Sequence, residues 1–339
     1  MKKIKVEDAV GMVLAHDLTK IVPGEFKGAA FKKGYIVKPE DIDKLKDMGK
    51  NHIYVIDLTE NDIHEDDAAI SMGKAIAGEG VYLSGPSEGK VNLKASQKGL
   101  LKINIKAVEE INDIDSIILA TMHNNSVVEK DQIVAGTKII PLTIHKNKIE
   151  LIKDICQKLG KVVAIKEIKP LKAGIVVTGS EVFNGRITDK FGPVLEAKIR
   201  NYGGTLAGVR YAPDDKDKIQ EAIEAFISEG VEIVMTSGGM SVDADDLTPT
   251  AIRGIADDVI TYGSPVLPGA MFMLAYKGDV AILGVPACGM YHKTTVLDLI
   301  LPRVLAGERV SRKEIAVLGH GGLCLKCKVC HYPICPFGK

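Results

Sequence analysis

Apolar positions along this chain recur in two rhythms, and the change between them falls near residue 170. Beyond that point, short buried runs alternate with segments whose apolar residues fall three or four apart. Ile175, Val176 and Val177 read as a strand, and Val194, Leu195 and Ile199 mark a helix over Lys190 to Tyr202, ended by Gly203 and Gly204. Thr205 to Tyr211 is the next strand. Ile219, Ile223, Phe226 and Ile227 give a helix behind Asp214 and Asp215, stopped by Gly230, and Val231 to Met235 reads as a third buried strand. A helix from Leu247 to Gly254, strands at Val259 to Tyr262, MFMLAYK and VAILG, and a helix from His292 to Leu305 complete the set. Such alternation predicts an α/β domain in which a parallel sheet is covered on both faces, three α/β/α layers in all.

Before residue 170 the signals are shorter and more β-like. Pro39 with Glu40 and Asp41 opens a helix carrying Ile42, Leu45 and Met48, Gly49 closes it, and Ile53 to Ile56 follows as a strand. Ile70, Met72, Ala75 and Ile76 form a helical face behind His64, Glu65, Asp66 and Asp67, an acidic front that suits a helix N-terminus better than a metal site. VNLKA, LLKINI, SIILATM, KIIPL and KVVAIKEI are strand-like, and only Lys148 to Leu159 reads as a helix of any length. The division expected is an N-terminal α/β region (1–80), a β-rich linker domain (81–170), the α/β domain (171–310) and a cysteine-rich tail (320–339), with KEIKPLKAG at 166–174 as the main boundary.

Two strand ends carry the candidate chemistry. The first runs into Thr178, Gly179, Ser180 and Glu181, a polar glycine-bearing turn suited to an anion; the second runs into Ser237, Gly238, Gly239, Ser241, Asp243, Asp245 and Asp246. Both would face the crevice at the carboxyl ends of the strands. Glycine pairs admit positive φ and close approach of a ligand to the backbone. Three carboxylates among Asp243, Asp245 and Asp246 repel one another unless a cation or a helix N-terminus compensates, which points to Mg²⁺, to capping by Asp245 or Asp246, or to both. Glu181 would complete the metal shell or orient a water, and Asp214 would reach the same pocket from the intervening strand.

Composition narrows the partners. Lys plus Arg and Asp plus Glu are equal at 44 each and Trp is absent, which removes the case for nucleic-acid binding. No apolar run approaches membrane-spanning length and no export signal is visible, so a cytoplasmic protein is expected. In that compartment Cys324, Cys327, Cys330 and Cys335, spaced C-x2-C-x2-C-x4-C-P, argue for Zn²⁺ or an Fe–S cluster, with His331 or His320 as alternates, and against disulfides.

TGSEV at 178–182, GRITD at 185–189, APDD at 212–215, SGGMSVDADD at 237–246, PGAM at 268–271 and GVP at 284–286 follow the order and spacing of the molybdopterin-binding domain shared by molybdopterin molybdotransferases and adenylyltransferases. The chain resembles that family over roughly 173–305, and VEDAVGMVLAHDLT is similar, more weakly, to the opening of the molybdotransferases. The resemblance implies a protein that binds molybdopterin or its adenylylated form and exchanges AMP for molybdate with Mg²⁺ present, using Asp246, Asp245 and Glu181. Thr178, Gly179, Ser180, Ser237, Gly238, Gly239, Ser241, Asp214, Pro268, Gly269 and Pro286 would bind the ligand, and Asp243 with Asp246 the Mg²⁺. Asp243 stands where the family has glycine and Ala244 where it has aspartate, leaving Asp243 or Asp245 to substitute for the lost carboxylate. Ala270 replaces a basic residue, GVPACGM lacks the Gly-Asn-Pro turn, and the tail stands where a β-barrel domain is expected. These departures favour a second reading, a non-catalytic carrier or sensor of the cofactor. The partners implied are the pterin ligand, molybdoenzymes or other cofactor-assembly proteins, and a second copy of the chain in a homo-oligomer.

Overall fold

The structure is a computed structural model that describes residues 2–22, 26–56, 59–87, 89–243 and 246–339. Residues 1–97, 101–124 and 128–165 form one compact unit, and 98–100, 125–127 and 166–339 the other.

In the first unit, the strand Lys2–Lys5 pairs antiparallel with His52–Ile56, which also pairs with Val13–Leu14; Val6, Leu14, Leu45 and Val55 are fully buried between them. The helix Glu65–Ile76 belongs to a different core. Its Ala68, Met72 and Ile76 pack with Leu93, Val134 and Ile139 of an antiparallel sheet made from Val81–Ser87, Lys90–Ala95, Ile133–Ile139 and Ile117–Thr121. The boundary expected at residue 80 therefore cuts through one hydrophobic cluster, because the apolar face of that helix has no other surface to bury. A second expectation also needs correction. Lys146–Leu159 is a helix, but so is Ile105–Asn112, opened by Asn104, whose side-chain carbonyl accepts the Ala107 amide at 3.2 Å. Its run of apolar and β-branched residues after LLKIN had masked an N-cap. At Glu65–Ile76 the acidic front does sit on a helix N-terminus, with the His64 ring accepting the Asp66 amide.

In the second unit the elements are β1 (Lys172–Thr178), α1 (Ser180–Phe183), α2 (Phe191–Asn201), β2 (Thr205–Ala212), α3 (Lys216–Ser228), β3 (Ile233–Ser237), α4 (Thr248–Ile255), β4 (Asp258–Tyr262), β5 (Met273–Lys277), β6 (Val280–Val285), α5 (Cys288–Tyr291), α6 (Val296–Leu305) and α7 (Arg312–Val317). The sheet order is β2-β1-β3-β6-β5-β4. β2, β1, β3 and β6 run parallel, while β5 and β4 are antiparallel to their neighbours. The expected parallel sheet is thus present in four of the six strands, and an antiparallel edge, β5 and β4, is added to it. Gly278, at φ +56°, and Asp279 leave only two residues between β5 and β6, which permits a hairpin and excludes a crossover.

Side chains on a strand alternate between faces, and here both faces are buried. Ile175, Val177, Met235 and Leu283 pack with α2 and α6 in one cluster; Val176, Val234, Ile282 and Met273 pack with α3 and α4 in the other. This alternation builds the three layers. The helix expected over His292 to Leu305 begins later, at Val296. Thr295 accepts the Leu297 amide and Asp298 accepts the Thr295 amide at 2.7 Å, so this capping box fixes the start and leaves 292–295 as a connector from α5. No helix among the described residues is long and apolar enough to cross a membrane.

Candidate functional site

The parallel register puts Val177, Ser237 and Val285 side by side, so the segments leaving β1, β3 and β6 start together at one edge; the segment entering antiparallel β5 lies at the same edge. Here Thr178 is buried, and its hydroxyl donates to the Ser237 carbonyl at 3.0 Å. Thr248, at the start of α4, donates to the Gly238 carbonyl at 2.9 Å, and the two threonine oxygens lie 3.1 Å apart. Gly238 has φ +91°, and a Cβ on it would stand 2.2 Å from the Thr178 carbonyl oxygen; on Gly239, at φ +52°, it would stand 2.9 Å from Thr248 Oγ1. Only glycine meets both the positive φ and the close approach.

Above this floor is a cleft of about 420 Å³ lined by Gly238, Gly239, Ser241, Asp243 and Asp246 on one side and by Pro268, Gly269, Pro286 and Cys288 on the other. Asp246 accepts the Asp243 amide at 3.0 Å, and the Asp246 amide donates to the Asp243 carbonyl. That turn relieves the crowding of carboxylates without a cap on α4. Tyr262 donates to the carbonyls of Met240 and Ser241, at 3.0 and 2.9 Å. Burial, then the negative charge of Asp246, push its phenol above the ordinary range, with Arg253 opposing, so it remains a donor. Burial likewise pushes the Cys288 thiol up. Gly269, at φ +129°, closes the far wall, where a Cβ would meet Val296 at 2.6 Å.

Not every expected residue joins this cleft. Ser237 is fully buried, its hydroxyl oxygen without a hydrogen-bond partner among the described residues, so with Thr178 it forms the floor. Asp214 accepts the Ser180 amide at 2.8 Å while the Asp214 amide donates to Ser180 Oγ at 3.2 Å, and this closed pair occupies one of the backbone donors of the first loop. Gly179 and Glu181 are also outside the cleft. The Glu181 carboxylate folds back to within 3.1 Å of the Cβ position of Gly179 and does not line the cleft that holds Asp246. Among the described residues no three His, Cys, Asp or Glu side chains are placed to hold a metal ion together. Asp215, not Asp246, caps a helix: its carboxylate accepts the Asp217 and Lys218 amides at the start of α3. Asp245 lies outside the described residues. Sequence reasoning missed Thr248 and Tyr262; a threonine followed by Pro249 at a helix start was the available signal for the first, and nothing local marked the second.

This is an α/β domain with a glycine-floored, acid-bearing cleft at the carboxyl edge of its parallel strands. Residues 174–306 match the family described as "Probable molybdopterin binding domain", and residues 3–57 match a domain of unknown function. A CinA-like protein of Mycobacterium sp. (strain MCS) is 38% identical over 81 residues, covering 24% of this chain and 19% of that protein. Its counterpart from Mycobacterium tuberculosis (strain H37Rv) is 36% identical over 77 residues, 23% and 18% of the two chains. The chain thus spans about a fifth of the length of the curated relatives it matches. Among solved structures, the molybdopterin biosynthesis enzyme MoaB of Thermus thermophilus covers 41% of this chain and 98% of its own at 20% identity and TM-score 0.36. The tungsten cofactor synthesizing protein MoaB of Pyrococcus furiosus covers 42% and 99% at 18% and 0.35.

Proposed function

We propose that this chain acts in molybdenum cofactor biosynthesis, binding adenylylated molybdopterin in the cleft between Gly238 and Pro286 and exchanging its AMP for molybdate. The observation that carries the reading is the joining, in one cleft of a molybdopterin-family domain, of a positive-φ glycine pair with the Asp243–Asp246 turn. Gly238 and Gly239 give a phosphate or pyrophosphate close access to backbone, and Pro268 and Gly269 bound it opposite. The donor set fits Mg²⁺ in its usual manner, one or two carboxylates with the remaining positions left to water and substrate phosphate. Asp246 with Asp243 would hold it, and when bound it supplies charge neutralisation at the phosphoanhydride. Tyr262 bonds the loop carbonyls of Met240 and Ser241, which ties down the backbone just before Asp243.

A second reading, binding without turnover by a carrier or sensor, is favoured by the closure of Ser180 on Asp214 and by the place of Glu181 outside the cleft lining. Adenylyl transfer to molybdopterin is a variant of the first reading at the same cleft. The deciding assay offers adenylylated molybdopterin, molybdate and Mg²⁺ to the full chain and follows AMP. Release that disappears in Asp246→Ala supports transfer; saturable binding with no release supports the carrier; absence of both removes the cleft from cofactor chemistry. A homo-oligomer and docking to molybdoenzymes or cofactor-assembly proteins are proposed with the same function, and sedimentation of the purified chain tests the first.

A further inference from the structure

We propose that the cysteine-rich tail is a tetrathiolate centre for a soft metal, Zn²⁺ or an iron–sulfur cluster. Cys324, Cys327, Cys330 and Cys335 all line one cavity of about 280 Å³, separate from the glycine-floored cleft. None of them is in a disulfide.

The tail is a closed loop fastened at its base. The Leu267 amide donates to the Gly322 carbonyl and the Cys324 amide to the Leu267 carbonyl, both at 2.8 Å, while the Gly338 amide donates to the Gly321 carbonyl at 2.9 Å. Phe337 is buried in the domain core, and Tyr332 donates to the Asp298 carbonyl at 3.3 Å. Between these anchors the chain has no helix or strand, and Leu325, Val329 and Ile334 are exposed at 70%, 64% and 88%. Hydrophobic burial therefore does not hold the loop's outer half. Small units without a core of their own rely on disulfides or metal instead. Lys326, between the first two cysteines, takes φ +52°, a left-handed conformation uncommon for a lysine and suited to a tight turn between them.

Charge points the same way. A Zn²⁺ ion with four thiolates carries a net charge of about −2, as does a four-thiolate cluster with a [4Fe–4S]²⁺ core. Lys293, Lys326 and Lys328 line the cavity and no Asp or Glu does, so the surroundings match a dianionic centre and not a bare cation. Soft sulfur ligands select Zn and Fe–S over Mg²⁺. Among the described residues no three candidate ligands are yet placed to hold one ion together, the four thiols included. Cys324 and Cys335 are packed against the domain core, and Cys327 and Cys330 are exposed. Loading is accordingly a closing of the outer pair onto the inner pair, with each thiol giving up its proton to solvent as the metal–sulfur bond forms.

The test uses the full chain purified without oxygen, before and after incubation with Zn²⁺ alone or with Fe³⁺, sulfide and an excess of a thiol reductant that supplies the electrons for the ferrous half of the cluster. One centre per chain is expected, read as zinc by elemental analysis or as iron with acid-labile sulfide and its visible absorption, and these two arms distinguish the metals. Cys327→Ser and Cys335→Ser should lose it, and Cys156→Ser, a buried cysteine of the first unit, should keep it. Because a variant can fail for want of folding, trypsin cleavage of the unaltered chain after Lys326 and Lys328 gives a second reading: metal should protect both bonds and a chelator should restore cutting. A chain that takes up neither metal, serine variants that retain full occupancy, or cleavage indifferent to metal would each overturn the proposal. None of these readouts involves the pterin, so the tail and the cleft stand or fall separately.

Discussion

Removing one side chain, Asp298, should destabilise the second unit far more than a surface carboxylate would. Its carboxylate is buried, 5% exposed, and accepts from Lys198 Nζ at 2.6 Å, Tyr202 Oη at 3.0 Å and the Thr295 amide at 2.7 Å. Burial first, then this negative charge, drive the Tyr202 phenol far above its ordinary range. Asp298→Ala leaves the Lys198 ammonium, 11% exposed, with only the Lys293 carbonyl at 2.9 Å. Breaking one side of a buried pair costs roughly 3–5 kcal/mol, because the surviving charge remains desolvated. The capping box of α6 goes with it, adding about 1 kcal/mol. For a unit of this size each kcal/mol moves the midpoint by roughly 2–4 °C, so a loss on the order of 10 °C in thermal unfolding is expected. The double replacement Lys198→Met with Asp298→Leu removes both charges and should recover all but the capping contribution, about 1 kcal/mol below the parent. Differential scanning calorimetry or urea unfolding reads both. A single variant within about 1 kcal/mol of the parent, or a double variant as unstable as the single, would refute the idea that an uncompensated charge is what costs.

Gly238→Ala should cost about 1–3 kcal/mol and weaken ligand binding, since its Cβ would strike the Thr178 carbonyl; Gly230→Ala, at φ +76° in open space, should cost only the conformational part, about 1 kcal/mol. Urea unfolding of the two side by side separates contact from conformation. Asp246→Asn should keep the fold and the Asp243 amide bond but lower Mg²⁺-dependent ligand affinity, measured by calorimetry with and without Mg²⁺. Burial acts to raise the Glu314 carboxyl, but hydrogen bonds from Ser311 and Arg303 outweigh it and hold the pKa at about 2. Folded Glu314 thus binds fewer protons than the unfolded chain below about pH 4.5, so its stabilisation is present above that value and is lost as pH falls toward 2. Glu314→Gln should flatten the acid limb of the stability profile, and an unchanged limb would count against the ion pair.

How much of this was legible depended on whether a residue's partner is near in sequence. β1, β3 and β6 were readable because central strands buried on both faces need continuous apolar runs, and Ile175, Val176 and Val177 serve both cores at once. The antiparallel edge was hidden: its direction is set by the two residues at Gly278 and Asp279, while the apolar content of β5 is the same for either direction. Gly238 and Gly239 stood out because no other residue tolerates both the φ and the approach of Thr178 to the first and Thr248 to the second. Carboxylates are different. A short acidic side chain has several amides within reach, and the backbone path of a distant loop decides among them. Asp214 and Asp215 are adjacent, yet one bonds the Ser180 amide, across 34 residues, and the other caps its own helix. The same rule accounts for Glu181, which sequence placed with Asp246 by analogy of loops and which structure turns back over Gly179.

That difference bears on how the cleft would work. If the first loop is already satisfied by Asp214, a ligand phosphate gains nothing there unless it displaces the carboxylate, and a charged group bonded to a backbone amide is worth about 1.5–3 kcal/mol. Among the described residues the carboxylate bonded on the glycine-floored side is that of Asp246, and it holds the amide of its own turn and not that of Gly238 or Gly239. Affinity should therefore originate at Gly238 and Gly239, and Asp214→Ala should strengthen anion binding where Gly238→Ala weakens it. Inorganic pyrophosphate titrated into the two variants, with Mg²⁺ held constant, gives opposite signs on this account. Equal losses would mean that the Ser180–Asp214 pair is part of the binding surface after all, held closed only until the ligand opens it.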